Sequence, residues 1–218
     1  VKDRDIHAVM RLLRREKPKW QTPIVTLMAE TYENPFRVLI SCILSLRTQD
    51  ATTAKASHRL FAEADTPRAM LKLSAKKIEK LIYPVGFYKT KAKNILDICR
   101  ALLEQYRGEV PEEIEELLKL NGVGRKTANL VVTLGYHKPG ICVDTHVHRI
   151  SNRWGYVATA TPEKTEFALR AKLPKQYWIE YNDLLVSFGQ QLCRPTSPLC
   201  SRCPVKKYCR QIGVTVRR

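Results

Sequence analysis

Seven cysteines occur, at positions 42, 99, 142, 193, 200, 203 and 209, and the last four fall within seventeen residues as CRPTSPLCSRCPVKKYC. Their spacing is C-x6-C-x2-C-x5-C. Four thiolates this close can wrap one tetrahedral zinc ion or one cubane iron–sulfur cluster, whereas disulfides belong to oxidising compartments. Cysteine-only ligation suits both metals. The wider loops and Pro204 directly after Cys203 point toward a cluster. A four-iron core in its 2+ state held by four thiolates carries a net charge of about −2. Arg194, Arg202, Lys206, Lys207 and Arg210 can offset that charge and still face a phosphate backbone. Cys42, Cys99 and Cys142 lie in apolar runs and read as small buried hydrophobes.

A second constellation lies in LLKLNGVGRKTANLVVTLGY, where a Gly-Val-Gly turn separates two helical patterns. Gly122, Val123 and Gly124 read as the turn of a helix-hairpin-helix, with backbone N–H groups and the positive end of the next helix offered to a phosphate. An ordinary glycine-rich corner between helices would look the same. Lys126 sits in the first turn of that second helix, and Asp144 follows eighteen residues later in CVDTHVHRI. Taken alone, this lysine reads as a phosphate contact and this aspartate as a helix cap.

The elements that must position these groups are helices. Apolar residues recur at steps of three and four from Tyr88 to Tyr106, with Ala92, Ile95, Cys99, Leu102 and Tyr106 on one stripe. Similar patterns predict helices over Ile6 to Arg15, Phe36 to Leu46, Asp50 to Ala62, Ala75 to Tyr83 and Glu112 to Leu120. They continue over Gly124 to Leu134, Asp144 to Trp154, Pro162 to Leu173 and Trp178 to Leu192. Ser74 and the Thr161-Pro162 pair are helix-start signals. No strand alternation persists, so the expectation is an all-α fold. The turn-rich HKPG, His137 to Gly140, is the best candidate for a domain connector. After Cys193 the chain cannot build an apolar core unaided.

The chain of 218 residues carries 38 Lys and Arg against 21 Asp and Glu, a formal net charge of +17 spread along its length. Such a surplus points to a polyanionic partner, with nucleic acid ahead of an anionic membrane. The longest stretch without a charged side chain, Thr127 to His137, has eleven residues, short of the roughly 18 that span a bilayer. The N-terminus lacks the apolar segment of a secretory signal. The expectation is therefore an intracellular protein without a membrane partner: in the cytoplasm or nucleoid of a bacterium or archaeon, in the nucleus of a eukaryote.

The order LNGVGRKTA, then VDTHVHR, then C-x6-C-x2-C-x5-C closely resembles the endonuclease III family of DNA glycosylases with a 4Fe-4S cluster. The resemblance runs from about Asn34 to Cys209, about four-fifths of the chain, and includes ENPFRVLISCILS, LIYPVGFYKTKAKNI and LLVSFGQQLC. It implies a two-lobed helix-hairpin-helix glycosylase fold with a C-terminal cluster loop. One lobe is a helical barrel over 28–138, the other a discontinuous cluster domain of 1–27 and 139–218, with the active site in the cleft between them. It implies that Lys126 is the catalytic nucleophile, that Asp144 is the catalytic carboxylate, and that Cys193, Cys200, Cys203 and Cys209 hold a 4Fe-4S cluster. Gly122, Val123, Gly124, Arg125 and Thr127 become DNA contacts. Phe87 matches the position of an apolar residue that fills the gap left by a flipped base. Arg47 stands where many relatives carry Gln; it contacts the orphaned base or a phosphate, or Gln49 substitutes for it. His146 and His148 follow Asp144 at helical spacing and read as structural groups or phosphate contacts, with His146 ahead of His148 as a candidate DNA contact.

The implied activity is that of a monomeric base-excision-repair enzyme acting on double-stranded DNA with a damaged base or an abasic site. It would remove oxidised pyrimidines as both DNA glycosylase and AP lyase. An amine attacks only when neutral, and an ordinary lysine is neutral about 0.04% of the time at pH 7. Asp144 then stabilises the cationic sugar or moves protons during elimination. A monofunctional mismatch glycosylase is the nearest alternative, disfavoured because such relatives lack the lysine found here as Lys126. A non-catalytic iron–sulfur DNA-binding module is the alternative of a different class.

Overall fold

The computed structural model describes residues 1–32 and 34–218, and the side chains of these except 28 and 30–32. Glu33, the first residue of the ENPFRVLISCILS motif, lies outside the described residues. The chain divides into two compact units, one of Val1–Pro23 with Ile141–Arg218 and one of Ile24–Gly140. Helices make up both, and the described residues contain no strand. None of these helices is long and apolar enough to cross a membrane.

The discontinuous unit opens with α1 (Ile6–Glu16), whose Ile6, Val9, Met10 and Leu13 are spaced to lie on one buried face. The continuous unit then runs through α2 (Ile24–Tyr32), α3 (Pro35–Ser45), α4 (Asp50–Glu63), α5 (Pro67–Met70), α6 (Ala75–Ile82) and α7 (Tyr88–Gln105). It ends with α8 (Ile114–Leu117), α9 (Arg125–Leu130) and a π-helical turn over Val131–Gly135. The chain returns to the first unit in α10 (Thr145–Arg153), α11 (Pro162–Lys172) and α12 (Trp178–Gln191). The cysteine-rich segment follows as loops with two short 3-10 turns, Cys200–Arg202 and Lys206–Tyr208.

In the continuous unit α3 is the axis. Val38 to Leu44 are all buried, as a helix apolar on every side requires, and α3 packs against α2, α4, α7 and α9. Its start is fixed by Asn34, whose Oδ1 accepts from the amides of Phe36 at 2.9 Å and Arg37 at 3.3 Å, with Pro35 at the first helical position. In the discontinuous unit the face of α1 joins Val147, Ile150 and Trp154 and the α12 residues Tyr181, Leu185 and Phe188 in one apolar cluster. Each such side chain contributes about 1.5–3 kcal/mol on burial.

Two helices were not expected, α2 and the four-residue α5. The helix expected over Glu112 to Leu120 contracts to α8, because Lys119 and Leu120 donate to carbonyls only three residues back, Glu116 and Leu117, which tightens the chain into the hairpin turn. The helix expected over Gly124 to Leu134 changes to π form after Leu130. There the Thr133 hydroxyl donates to the Asn129 carbonyl at 2.8 Å, and Gly135 passes so close to Pro35 that a Cβ would lie 3.2 Å from its Cα.

Candidate active site and its supporting loops

The hairpin turn is built by one glycine and left open by the other. Gly122 has φ +78°, a conformation that favours glycine, and a Cβ there would come within 2.5 Å of Asn94 Nδ2 and displace that side chain. Gly124 has an ordinary extended backbone, φ −99°, and nothing lies within 4 Å of where its Cβ would stand. It serves as the N-cap of α9 without a side chain to cap it. Asn34, Thr66, Ser74, Asp144 and Thr161 do cap their helices.

Lys126 is the second residue of α9 and half-buried, with its ammonium close enough to Cys42 on α3 to offset part of that thiol's shift; burial pushes Cys42 up to about 12. Arg125 is half-buried beside it. Thr127 departs from its expected place on the DNA surface: at 1% exposed it begins the buried run Thr127 to Leu130 and presents nothing outward.

A second feature of this unit is a pair of loops. The α3–α4 loop carries Arg47 and Gln49, both exposed, and the α6–α7 loop carries Phe87, which at 62% exposed is not a core aromatic. Arg47 and Phe87 both have left-handed backbones, φ +52° and +57°. The Arg47 guanidinium lies 5.6 Å from the centre of the Phe87 ring. The loops touch through their backbones, since a Cβ on Gly86 would meet the Arg47 carbonyl oxygen at 2.6 Å.

In the discontinuous unit Asp144 caps α10, its Oδ1 accepting from the amides of His146 at 2.8 Å and Val147 at 2.9 Å. His146 is half-buried; its Nδ1 lies 3.0 Å from Arg149 NH2, which makes that nitrogen an acceptor. His148 belongs to an internal knot instead. Its Nδ1 lies 2.7 Å from Thr165 Oγ1, and Asn152 and Thr159 complete the cluster.

Further along α10, two arginines four residues apart grip the start of the cysteine segment. Arg149 NH2 donates to the Cys193 carbonyl at 2.9 Å, and Arg153 donates to the carbonyls of Arg194 and Pro195 and stands 3.6 Å from Cys193 Sγ. On the far side the Gln211 amide donates to Cys209 Sγ at 3.3 Å, and the Ile212 amide to the Arg153 carbonyl at 3.0 Å. Cys193, Cys200, Cys203 and Cys209 all line one cavity, floored by Trp154 and Phe188. Burial, with a smaller contribution from the other three cysteines nearby, raises the Cys203 thiol to about 12; burial likewise raises Cys193 and Cys209. Among the described residues no group of three His, Cys, Asp or Glu is arranged to hold a metal ion. The fit to a cluster therefore rests on the donor set, four soft sulfurs around one cavity.

Comparison with known proteins decides the family. Residues 40–175 match the HhH-GPD superfamily base excision DNA repair protein family. Endonuclease III of Thermotoga maritima is 51% identical over 176 residues, which cover 81% of this chain and 83% of that protein. The chain belongs to the endonuclease III family. The chloroplastic endonuclease III homolog 1 of Arabidopsis thaliana is 44% identical over 186 residues, and this chain spans about half its length, 49%. A solved structure of a trapped endonuclease III–DNA covalent intermediate, an estranged-adenine complex, superimposes with a TM-score of 0.86 at 34% identity, covering 97% of each chain. As an endonuclease III family member the protein is a base-excision-repair DNA glycosylase and AP lyase, and its macromolecular ligand is damaged duplex DNA.

The continuous unit thus holds Lys126, the hairpin and the Arg47–Phe87 pair; the discontinuous unit holds Asp144, His146 and the four cysteines. Sequence reasoning missed the groups that hold these in place. Lys91, Arg59, Arg149 and Arg153 were passed over, although two signals existed. Lys91 lies on the apolar stripe of α7, four residues before Ile95, and Arg149 and Arg153 share one helix face at a spacing of four.

Proposed function

We propose that Lys126 is the nucleophile of an enzyme that removes oxidised pyrimidines from duplex DNA and then cleaves the abasic strand. The neutral Lys126 amine attacks C1′ of the extruded nucleotide, the glycosidic C1′–N bond breaks, and the base leaves with the bonding electrons and takes up a proton. Ring opening leaves an iminium between Nζ and C1′. Loss of a proton from C2′ then expels the 3′ phosphate by β-elimination, and water hydrolyses the imine to free Lys126. Extrusion costs a few kcal/mol and least for a damaged base. The observation that carries this reading is the place of Lys126 in the first turn of an uncapped helix behind the open backbone of Gly124.

Asp144 stabilises the cationic sugar and moves protons during elimination, its carboxylate oriented by the two α10 amides. Gly122, Val123, Gly124 and Arg125 supply the backbone-contacting turn, and Arg47, Gln49, Phe87 and His146 are the further DNA contacts. Cys193, Cys200, Cys203 and Cys209 hold a 4Fe-4S cluster. A cluster bound through all four thiolates would tie together a segment with no apolar core of its own, and its charge is offset by the Arg153 guanidinium beside Cys193.

Borohydride trapping tests this reading, on duplex DNA containing thymine glycol and on an abasic duplex. The expected result is a covalent adduct on both with the native protein and on neither with Lys126→Ala. An adduct on abasic DNA alone would remove thymine glycol as a substrate, and no adduct on either would remove the lysine mechanism.

A further inference from the structure

Lys91 is a lysine in an apolar place. It stands on the buried stripe of α7 at 5% exposed, and burial holds its pKa down to about 8. Its ammonium nevertheless finds three acceptors, one for each N–H: the Leu46 carbonyl at 2.6 Å, the Leu44 carbonyl at 2.9 Å and Thr48 Oγ1 at 3.3 Å. Two of these are carbonyls at the C-terminal end of α3, where helix oxygens lack partners and the dipole favours a cation. All three straddle the turn that carries Arg47.

Thr48 extends the grip to the second loop. Its Oγ1 also accepts from the Gly86 amide at 3.2 Å, one residue before Phe87. From α4, Arg59 Nε donates to the Leu81 carbonyl at 2.7 Å, and its NH2 donates to the Tyr83 carbonyl. Two side-chain-bearing residues in left-handed backbone conformation, Arg47 and Phe87, therefore project from loops fixed to each other and to one buried ammonium. Unfavourable backbone conformations persist only where surrounding contacts over-determine them, and they gather at functional sites.

We propose that Lys91 is a positioning residue for nucleotide extrusion: by holding the Leu44–Thr48 turn against α7 it sets Arg47 and Phe87 as one preformed wedge that fills the gap in the duplex. The inference rests on the reading that Arg47 and Phe87 enter the DNA stack. A lysine that only supported the fold would weaken every activity of the enzyme alike. A wedge-positioning lysine affects the step that needs a duplex to be opened.

Three readouts on the full chain separate these roles: single-turnover excision of thymine glycol from duplex DNA, strand cleavage at an abasic site in single-stranded DNA, and the fluorescence rise of 2-aminopurine placed beside the lesion. Lys91→Met is expected to slow duplex excision about tenfold or more, because small misplacements of positioning groups carry costs of that order. It should abolish the fluorescence rise and leave single-strand cleavage within about twofold. Thr48→Val, which removes the link to Gly86 and the longest of the three ammonium contacts but keeps the Lys91 charge and both carbonyl acceptors, should act in the same direction to a smaller extent, and carries the test if Lys91→Met does not fold. Combined with Phe87→Ala, Lys91→Met should add no further loss, as expected for groups acting through one unit. A parallel loss on both substrates would overturn the proposal, as would normal duplex excision by Lys91→Met when Phe87→Ala is impaired. Normal duplex excision by both Arg47→Ala and Phe87→Ala would overturn the wedge reading itself, and this inference with it.

Discussion

The N-termini of α9 and α10 solve the same physical problem in opposite ways. Every α-helix begins with amides that have no partner in the helix, at the positive end of its dipole. At α10 the side chain of Asp144 closes that end, one oxygen serving two amides. At α9 the capping position is Gly124, which brings no side chain and leaves open space where one would stand, and the second helical residue is a lysine that gains nothing from the dipole there. Stability favours the first arrangement, worth about 1 kcal/mol for a good cap. The second makes sense if the end is kept open for an anion from outside, as a phosphate of DNA would be.

Substitutions at α10 give the largest separable effect. Asn caps a helix as well as Asp does, so Asp144→Asn should leave thermal stability within about 0.5 kcal/mol while lowering single-turnover excision by about 10². Asp144→Ala should lose activity similarly and cost about 1 kcal/mol of stability besides. Melting curves and excision rates measured on the same preparations check both. An Asn variant as active as the native protein would reduce Asp144 to a cap and leave the two helix ends differing in structure alone.

The two glycines of the hairpin should separate in the reverse sense. Gly124→Ala meets no neighbour and needs no unusual backbone, so the fold should hold within about 0.5 kcal/mol, with duplex affinity falling about tenfold as the new methyl stands in the path of the phosphate. Gly122→Ala must adopt a left-handed conformation and press on Asn94, and is expected to cost about 1–3 kcal/mol of stability. Titration with labelled duplex and denaturant unfolding distinguish the two. Equal behaviour would show that the openness at Gly124 has no role.

Much of this arrangement is legible in the amino-acid sequence alone. The periodicity of the α7 stripe, the Thr161-Pro162 start of α11 and the glycine-flanked hairpin all act locally, through side-chain spacing and backbone preference. What stays hidden depends on distant partners. The run that forms α2 is short and mostly apolar, and period alone does not tell a buried helix from a buried strand in such a run. The π turn after α9 accompanies the approach of Gly135 to Pro35, a hundred residues away in the chain. The place of Lys91 on the apolar stripe of α7 hints at burial, but its three acceptors lie in the Leu44–Thr48 turn, more than forty residues away in the chain. The spacing of Arg149 and Arg153 places them on one helix face, but the carbonyls they grip, those of Cys193, Arg194 and Pro195, come some forty residues later in the chain. Thr127 shows the limit in the other direction, since a motif position gives its sequence neighbours but not its burial.

The central claim is that the lysine at the open end of α9 becomes covalently joined to DNA. Its most direct test is to reduce the enzyme–DNA adduct with borohydride, digest the protein and locate the modified residue by mass spectrometry. The account predicts a single modified peptide with the deoxyribose remnant on Lys126. A remnant on Lys91, on the N-terminal amine or on any other lysine would contradict it.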